Sequence, residues 1–256
     1  MSTVPLNHTE DGPADAPMLL LGPSLGADLS MWDAQAAALA DALRVVRYDH
    51  RGQGGSPVAP GPYAIGDLGL DVLALIDALG APRAHVAGLS LGGMVAMWIA
   101  INAPERVDRL VLCCTSAKFG PPSLWQERAR VARTQGMAAL APETVERWIT
   151  SAGRAADPGR TRALEAMIAA CDPDGYASCC AAIEHMDLLD GLPSVTAPTL
   201  VIAGAEDPST PPGEHAAPIA TAIPGARLEV LDGAAHLANL ERPDDVTRLF
   251  REHLAA

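Results

Sequence analysis

Residues 84–100 read AHVAGLSLGGMVAMWIA: a short apolar run, the pentapeptide GLSLG, and an apolar stretch with helical spacing. Alone, G-x-S-x-G is a weak signal in a chain this rich in glycine, serine and leucine. Its setting carries the meaning, because a serine on the turn from a strand into a helix sits on a sharp, strained bend with its hydroxyl at the top of a sheet. Beside it stands the positive end of the helix, which favours developing negative charge. Gly88, Gly92 and Gly93 leave the room that such close backbone packing demands.

The flanking chain repeats the same alternation. Runs at 18–22, 43–49, 84–88, 109–114, 198–204 and 226–232 are short and mostly continuously apolar, as parallel strands covered on both faces are. Segments 31–42, 67–79, 91–102, 213–222 and 244–254 carry helical spacing and composition. Together they predict an α/β fold with a mostly parallel central sheet flanked by helices. At the N-terminus, VPLNHTEDGPADAPMLLL (4–21) places turn residues between apolar ends, which predicts a short hairpin leading into the sheet. From about Pro121 to Pro193 the strands stop, and four successive helices are expected within 124–140, 142–151, 161–171 and 175–186. The chain thus divides into a core, 1–120 and 194–256, and a helical cap, 121–193, inserted before the last strands. Ligands of open α/β sheets bind beyond the carboxyl ends of the strands, so an insertion there is placed to act as a lid.

Composition narrows the function classes. With 256 residues, 49% apolar and 19% charged, the chain can bury one large core. No apolar run approaches the roughly 20 residues that span a bilayer. MSTVPLNHTEDG (1–12) has neither the basic start nor the apolar stretch of a secretory signal, so the expected location is the cytoplasm. A net charge of −13 argues against nucleic acid and anionic membrane as partners. An anionic substrate must then be met by a local positive group. The five cysteines include adjacent pairs at 113/114 and 179/180 but no C-x-x-C spacing, which predicts buried thiols rather than a metal or redox site. YDHRGQGGS (48–56) lacks both a Walker lysine and G-x-G-x-x-G spacing, which disfavours a nucleotide cradle; Asp49 and Arg51 are expected to fix its turns.

A serine hydroxyl is a poor nucleophile without a base and an orienting acid. In this architecture those partners follow the serine in the order acid, then histidine. Asp207 falls in the loop after the run 198–204, with Glu206 its nearest rival, and His236 falls in the loop after 226–232. The other histidines fit less well: His8, His50 and His85 precede the serine, His185 lies in the insertion, and His215 and His253 lie on expected helices. Ser90, Asp207 and His236 are therefore the expected catalytic residues. An oxyanion hole needs two backbone N–H donors, one from the residue after the nucleophile and one from an earlier loop. Leu91 and Leu25 fill those places, the latter between small residues that let the backbone approach a ligand.

At this point the chain resembles a known family. GPSLGADLSMWDAQ (22–35), YDHRGQGGS (48–56), GLSLGGMVA (88–96), VLCCTSAKFG (111–120), AGAEDPSTPP (203–212) and DGAAHLANLERP (232–243) together look like the α/β-hydrolase fold, and within it like the 3-oxoadipate enol-lactonases of aromatic catabolism. GMAAL (136–140) and GYASCCAAI (175–183) are similar to that family's cap. One departure is Pro23-Ser24, where many α/β hydrolases, though not the lactonases, carry His-Gly. The resemblance implies hydrolysis of the enol-lactone 4,5-dihydro-5-oxofuran-2-acetate to 3-oxoadipate through an acyl-enzyme, without metal or cofactor.

That small-molecule substrate is an anion. Lys118, the sole lysine, lies just past a strand's carboxyl end, and Arg133 lies in the first cap helix; either is a candidate for its carboxylate. Trp125 and Trp148 are candidates for the apolar part of the pocket. The same catalytic residues would also serve a broader carboxylesterase or a cofactor-free perhydrolase, and a hydrolase-fold ligand receptor is a further alternative. A haloalkane dehalogenase is disfavoured, because Ser90 stands where an aspartate nucleophile would be required.

Overall fold

The apolar runs assemble side by side. In the computed structural model, which describes residues 2–255, β1 (His8–Asp11), β2 (Met18–Gly22), β3 (Arg44–Tyr48), β4 (Ala84–Leu89), β5 (Val107–Cys113), β6 (Thr199–Gly204) and β7 (Arg227–Leu231) form one sheet of order β1-β3-β2-β4-β5-β6-β7. All neighbouring pairs are parallel except β1 with β3. Every residue of β2, β4 and β6 is buried, as strands covered on both faces must be. β7 closes an edge and is partly exposed.

The N-terminal hairpin expectation needs correction. β1 pairs with Arg44–Tyr48, not with the strand that follows it, so His8 faces Tyr48 across the register. A pattern of apolar ends and turn residues cannot distinguish a partner next in sequence from one a crossover away. Two Arg–carboxylate pairs, Arg44 with Glu10 and Arg47 with Asp11, bridge β1 and β3 at this edge.

Helices α1 (Asp33–Leu39), α2 (Ile65–Ala78), α3 (Leu91–Asn102) and α9 (Ala216–Ala222) connect strands, and α10 (Ala238–Glu241) and α11 (Pro243–Leu254) follow the last one. α3 is apolar on nearly every side and lies against β2, β4 and β5. Between β5 and β6 the chain leaves the sheet for α4 (Pro122–Gln135), α5 (Ala141–Trp148), α6 (Ser151–Ala156), α7 (Pro158–Ala169) and α8 (Pro173–Glu184). That is one helix more than the sequence pattern indicates. The unexpected one, α6, starts at Thr150, whose hydroxyl accepts from the Gly153 N–H; it is too short for apolar periodicity to reveal. No helix among the described residues is long and apolar enough to cross a membrane. Cys113, Cys114, Cys179 and Cys180 are buried, and all five cysteines are free thiols.

The loop after β3 is fastened from below. Arg51 and Asp71, each 1% exposed, form a bidentate pair, with Nη2 2.6 Å from Oδ1. Asp71 also accepts from the Val4 N–H at 2.8 Å, so one carboxylate ties α2, the 49–56 loop and the N-terminal segment together. Asp71→Ala leaves a buried guanidinium without its counter-charge and should destabilise the protein by about 3–5 kcal/mol. Urea unfolding midpoints at neutral pH will measure it.

Candidate active site

Ser90 directly follows β4 and occupies a left-handed backbone conformation, φ 56° and ψ −114°. Such a conformation is costly for a residue with a side chain and persists only where its surroundings enforce it. Here the backbone is gripped at both ends: the Ser90 N–H donates to Cys113 O at 3.0 Å, and the Ser90 carbonyl accepts from Thr115 Oγ1 at 2.7 Å and from the Met94 N–H at 3.0 Å. The neighbouring glycines admit no replacement. A Cβ on Gly88 would lie 2.1 Å from the Gly92 carbonyl carbon, and one on Gly92 would lie 2.2 Å from Gly22 O.

Asp207 and His236 stand on the loops after β6 and β7. Because β4, β6 and β7 run in one direction, all three residues share the carboxyl edge of the sheet. His236 Nδ1 is 2.8 Å from Asp207 Oδ2. The same carboxylate accepts from the backbone N–H groups of Ser209 and Thr210, at 2.8 and 3.0 Å, and from Thr210 Oγ1. Burial by itself would raise the Asp207 pKa, but the imidazole and the hydroxyl and amide donors outweigh it and hold the carboxyl below its ordinary range. Its rival Glu206 is exposed. His215 faces elsewhere, with Nδ1 2.8 Å from Ser116 Oγ.

The loop after β2 closes over the serine. Ser24 and Gly26 spend their N–H groups on Met31 Sδ and Gln53 Oε1, whereas the N–H of Leu25 between them meets no acceptor among the described residues. Leu91 is the first residue of α3, where an N–H has no intrahelical partner. Pro23 O accepts from the Gly92 N–H at 3.0 Å and lies 3.1 Å from His50 Nε2, which towards a carbonyl can only donate. Burial drives the His50 pKa down to about 4, so the ring stays neutral above that value and keeps one N–H for this bond. The two free donors, at Leu25 and Leu91, are thereby held at fixed places beside Ser90.

One cavity gathers Ser90, His236, Leu25 and Ser24 with residues of the helical excursion. Trp125 and Trp148 line it, as do Phe119, Arg128 and Arg147. Lys118 and Arg133 do not reach it. Lys118 Nζ pairs with Asp187 at 2.7 Å and is half exposed, because an antiparallel bridge between the two residues fixes the strand-like backbone here. Alternation then sends Lys118 out and Phe119 into the cavity. Arg133 pairs with Asp174 at 3.0 Å and opens on depressions beside Pro62.

Sequence patterns gave no sign of several supporting groups. Glu241 accepts from the Ala235 N–H, next to His236, and from both the N–H and hydroxyl of Thr150. Gly153 permits this approach, since a Cβ there would lie 2.4 Å from Glu241 Oε1. Asn239 Nδ2 donates to Met31 O at 2.7 Å, and Gln35 Nε2 returns a bond to Asn239 O at 3.1 Å. The histidine loop is thus bonded to both the helical excursion and the segment leading into α1. No group of residues suited to hold a metal ion occurs among the described residues.

Residues 17–243 match the family model described as alpha/beta hydrolase fold. The chain is 40% identical over 240 residues to 3-oxoadipate enol-lactonase 2 of Acinetobacter baylyi, covering 94% of this chain and 89% of the relative. A solved structure, the enol-lactonase of Burkholderia xenovorans LB400, superposes with a TM-score of 0.95 at 40% identity, covering 98% of this chain and 96% of the other. A relative from Variovorax paradoxus carrying the name of a carbamate hydrolase, RutD, is 35% identical and covers 81% of this chain and 80% of its own length.

Two measurements test the geometry. Gly88→Ala drives a Cβ into backbone that cannot yield, and should cost about 3 kcal/mol or more in urea unfolding. Asp207→Asn addresses the lowered carboxyl. A group whose folded pKa is depressed contributes stability that is complete above its unfolded value and is lost as pH falls through the folded one. The variant should therefore trail the parent by about 1–3 kcal/mol near pH 7 and converge on it as the pH falls through the lowered value of the folded carboxyl, measured by chemical unfolding across that range.

Proposed function

The chain belongs to the α/β hydrolase fold family, and on that premise we propose that it is an enol-lactonase whose nucleophile is Ser90, with His236 as general base and Asp207 as the acid that orients it. One observation carries the reading: Ser90 and His236 line a single cavity while the far nitrogen of the imidazole is held by a buried carboxylate. The 40% identity to an enol-lactonase across 94% of the chain supports the substrate class.

The bond to Asp207 leaves His236 Nε2 as the nitrogen available to Ser90 Oγ. Ser90 attacks the lactone carbonyl carbon of 4,5-dihydro-5-oxofuran-2-acetate as His236 takes the hydroxyl proton, and Asp207 stabilises the imidazolium. The Leu25 and Leu91 N–H groups receive the negative charge that forms on the carbonyl oxygen. Collapse breaks the ring C–O bond, and the departing enolate, protonated by His236, becomes the ketone of 3-oxoadipate. His236 then activates a water that releases the acyl group from Ser90. The helices of 121–193 act as a cap that excludes bulk water.

Ser90→Ala should lower kcat for the enol-lactone by about 10⁶-fold, leaving ~10³–10⁴ over the uncatalysed rate as other triad deletions do. Loss of the enol absorbance, followed for the parent and the variant, reads this directly. Ser90-dependent cleavage of a carbamate or a simple aryl ester, with the lactone untouched, would retain the nucleophile and reject the lactonase assignment.

A further inference from the structure

Phe119, in the connection from β5 to α4, borders two spaces. One is the cavity beside Ser90, of about 70 Å³. The other is a depression of about 360 Å³, lined by Leu189, Pro218 and Ile219 among others. The Phe119 ring meets a wall of each: its centroid lies 5.2 Å from that of Trp125, which lines the cavity, and 5.1 Å from that of His215, which lines the depression. The frame that carries the ring is tied on several sides. Ser116 Oγ donates to Lys118 O at 2.6 Å and lies 2.8 Å from His215 Nδ1, so with its proton spent it accepts from that nitrogen. Leu188 N–H donates to Ala117 O at 2.9 Å, beside the pairing of Lys118 with Asp187. The ring itself is only partly buried, and a Cβ on Gly120 next to it would meet nothing within 4 Å. Shortening Phe119 therefore removes a wall and leaves its supports in place.

We infer that Phe119 sets the upper size of the substrate: its ring partitions the cavity from the depression, which is an unused extension of the site with the chemistry to hold an alkyl chain. This rests on Ser90 as the nucleophile of the proposed function and adds a size limit to it. A small substrate is enclosed against the ring, and a longer one is refused by collision with it rather than by lack of apolar surface beyond.

The test measures kcat/KM for two ester series, one lengthened on the acyl side from p-nitrophenyl acetate to octanoate, the other on the alcohol side from methyl to octyl acetate. In one of them Phe119→Ala should raise the preference for the long member over the short by about 50-fold, since each of three newly buried methylenes contributes about fourfold. Phe119→Leu, which keeps part of the bulk, should give a smaller gain in the same series. Leu189 is exposed and lines only the depression, so Leu189→Trp fills that space. It should cancel the gain in the Phe119→Ala background and leave turnover of the short esters by the parent unchanged. Unaltered length profiles in both Phe119 variants, with Ser90-dependent turnover retained, would overturn the inference. So would a gain that survives Leu189→Trp, because the cavity would then have loosened without opening into the depression. If Ser90→Ala leaves ester cleavage unchanged, the proposed function fails instead, and calorimetry decides the partition without turnover. Octanamide bound more tightly by Phe119→Ala than by the parent, with butanamide bound alike by both, supports it; equal binding of octanamide overturns it.

Discussion

Close backbone contact among β2, β4 and the start of α3 is the constraint on which the site depends. Gly22, Gly88 and Gly92 bring three chain segments close: a Cβ on Gly88 or Gly92 would overlap a neighbouring backbone atom, and one on Gly22 would lie 2.5 Å from Tyr48 Oη and 3.1 Å from Gly92 Cα. Only in that crowded space is the left-handed turn at Ser90 the available path from β4 into α3. The bonds to Cys113 O and from Thr115 Oγ1 then fix it. The same contact seats the loop after β2, because Gly92 N–H reaches Pro23 O across it. The proposed nucleophile and the proposed oxyanion donors are thus two outcomes of one packing arrangement, and a change that separates β2 from α3 disturbs both.

The other half of the site is held by polar bonds between distant segments. Glu241 links the His236 loop to Thr150, Leu237 N–H donates to Trp148 O, and Asn239 and Gln35 join the same loop to the segment leading into α1. These groups are buried or partly buried, where an unmatched polar atom costs more than a matched one contributes. The helical excursion therefore shares its foundations with the histidine it covers. A displacement of α5 and α6 would be transmitted to His236 through Glu241 and the Leu237 amide, which gives the excursion a mechanical connection to the proposed base.

Much of the fold was legible because its signals are short-range and repeated. Each parallel strand is a compact apolar run, and each is followed by a helix with clear spacing, so the layer order follows from periodicity. The chemistry-bearing loops inherit that legibility, since Asp207 and His236 each sit a few residues past a strand end. What escaped depends on side-chain direction. Lys118 lies at the right edge but alternation turns it outward, while Phe119 takes the inward place. Arg133 is on the right helix but five residues from Arg128, roughly 140° further round at 3.6 residues per turn. Pairing of β1 with β3 and the bonds of Glu241 join residues far apart in the sequence, for which no local pattern exists.

Electrostatics connect the surface to the cavity. A chain of net charge −13 repels a carboxylate at long range, yet that repulsion between exposed charges is screened beyond about 8 Å at physiological salt. Inside a cavity with no acidic wall the balance reverses. The guanidinium of Arg128 is partly buried and its hydrogen bonds go to the neutral oxygens of Tyr176 and Thr144, so the low surrounding polarity strengthens what it does to an anion. On the proposed reading the product, 3-oxoadipate, carries one more carboxylate than the lactone. The second carboxylate forms beside Ser90, next to the Asp207 carboxylate that His236 shields only while protonated. As the imidazole returns to its neutral form at the end of the cycle, repulsion in the site rises and favours release of the dianion over its retention.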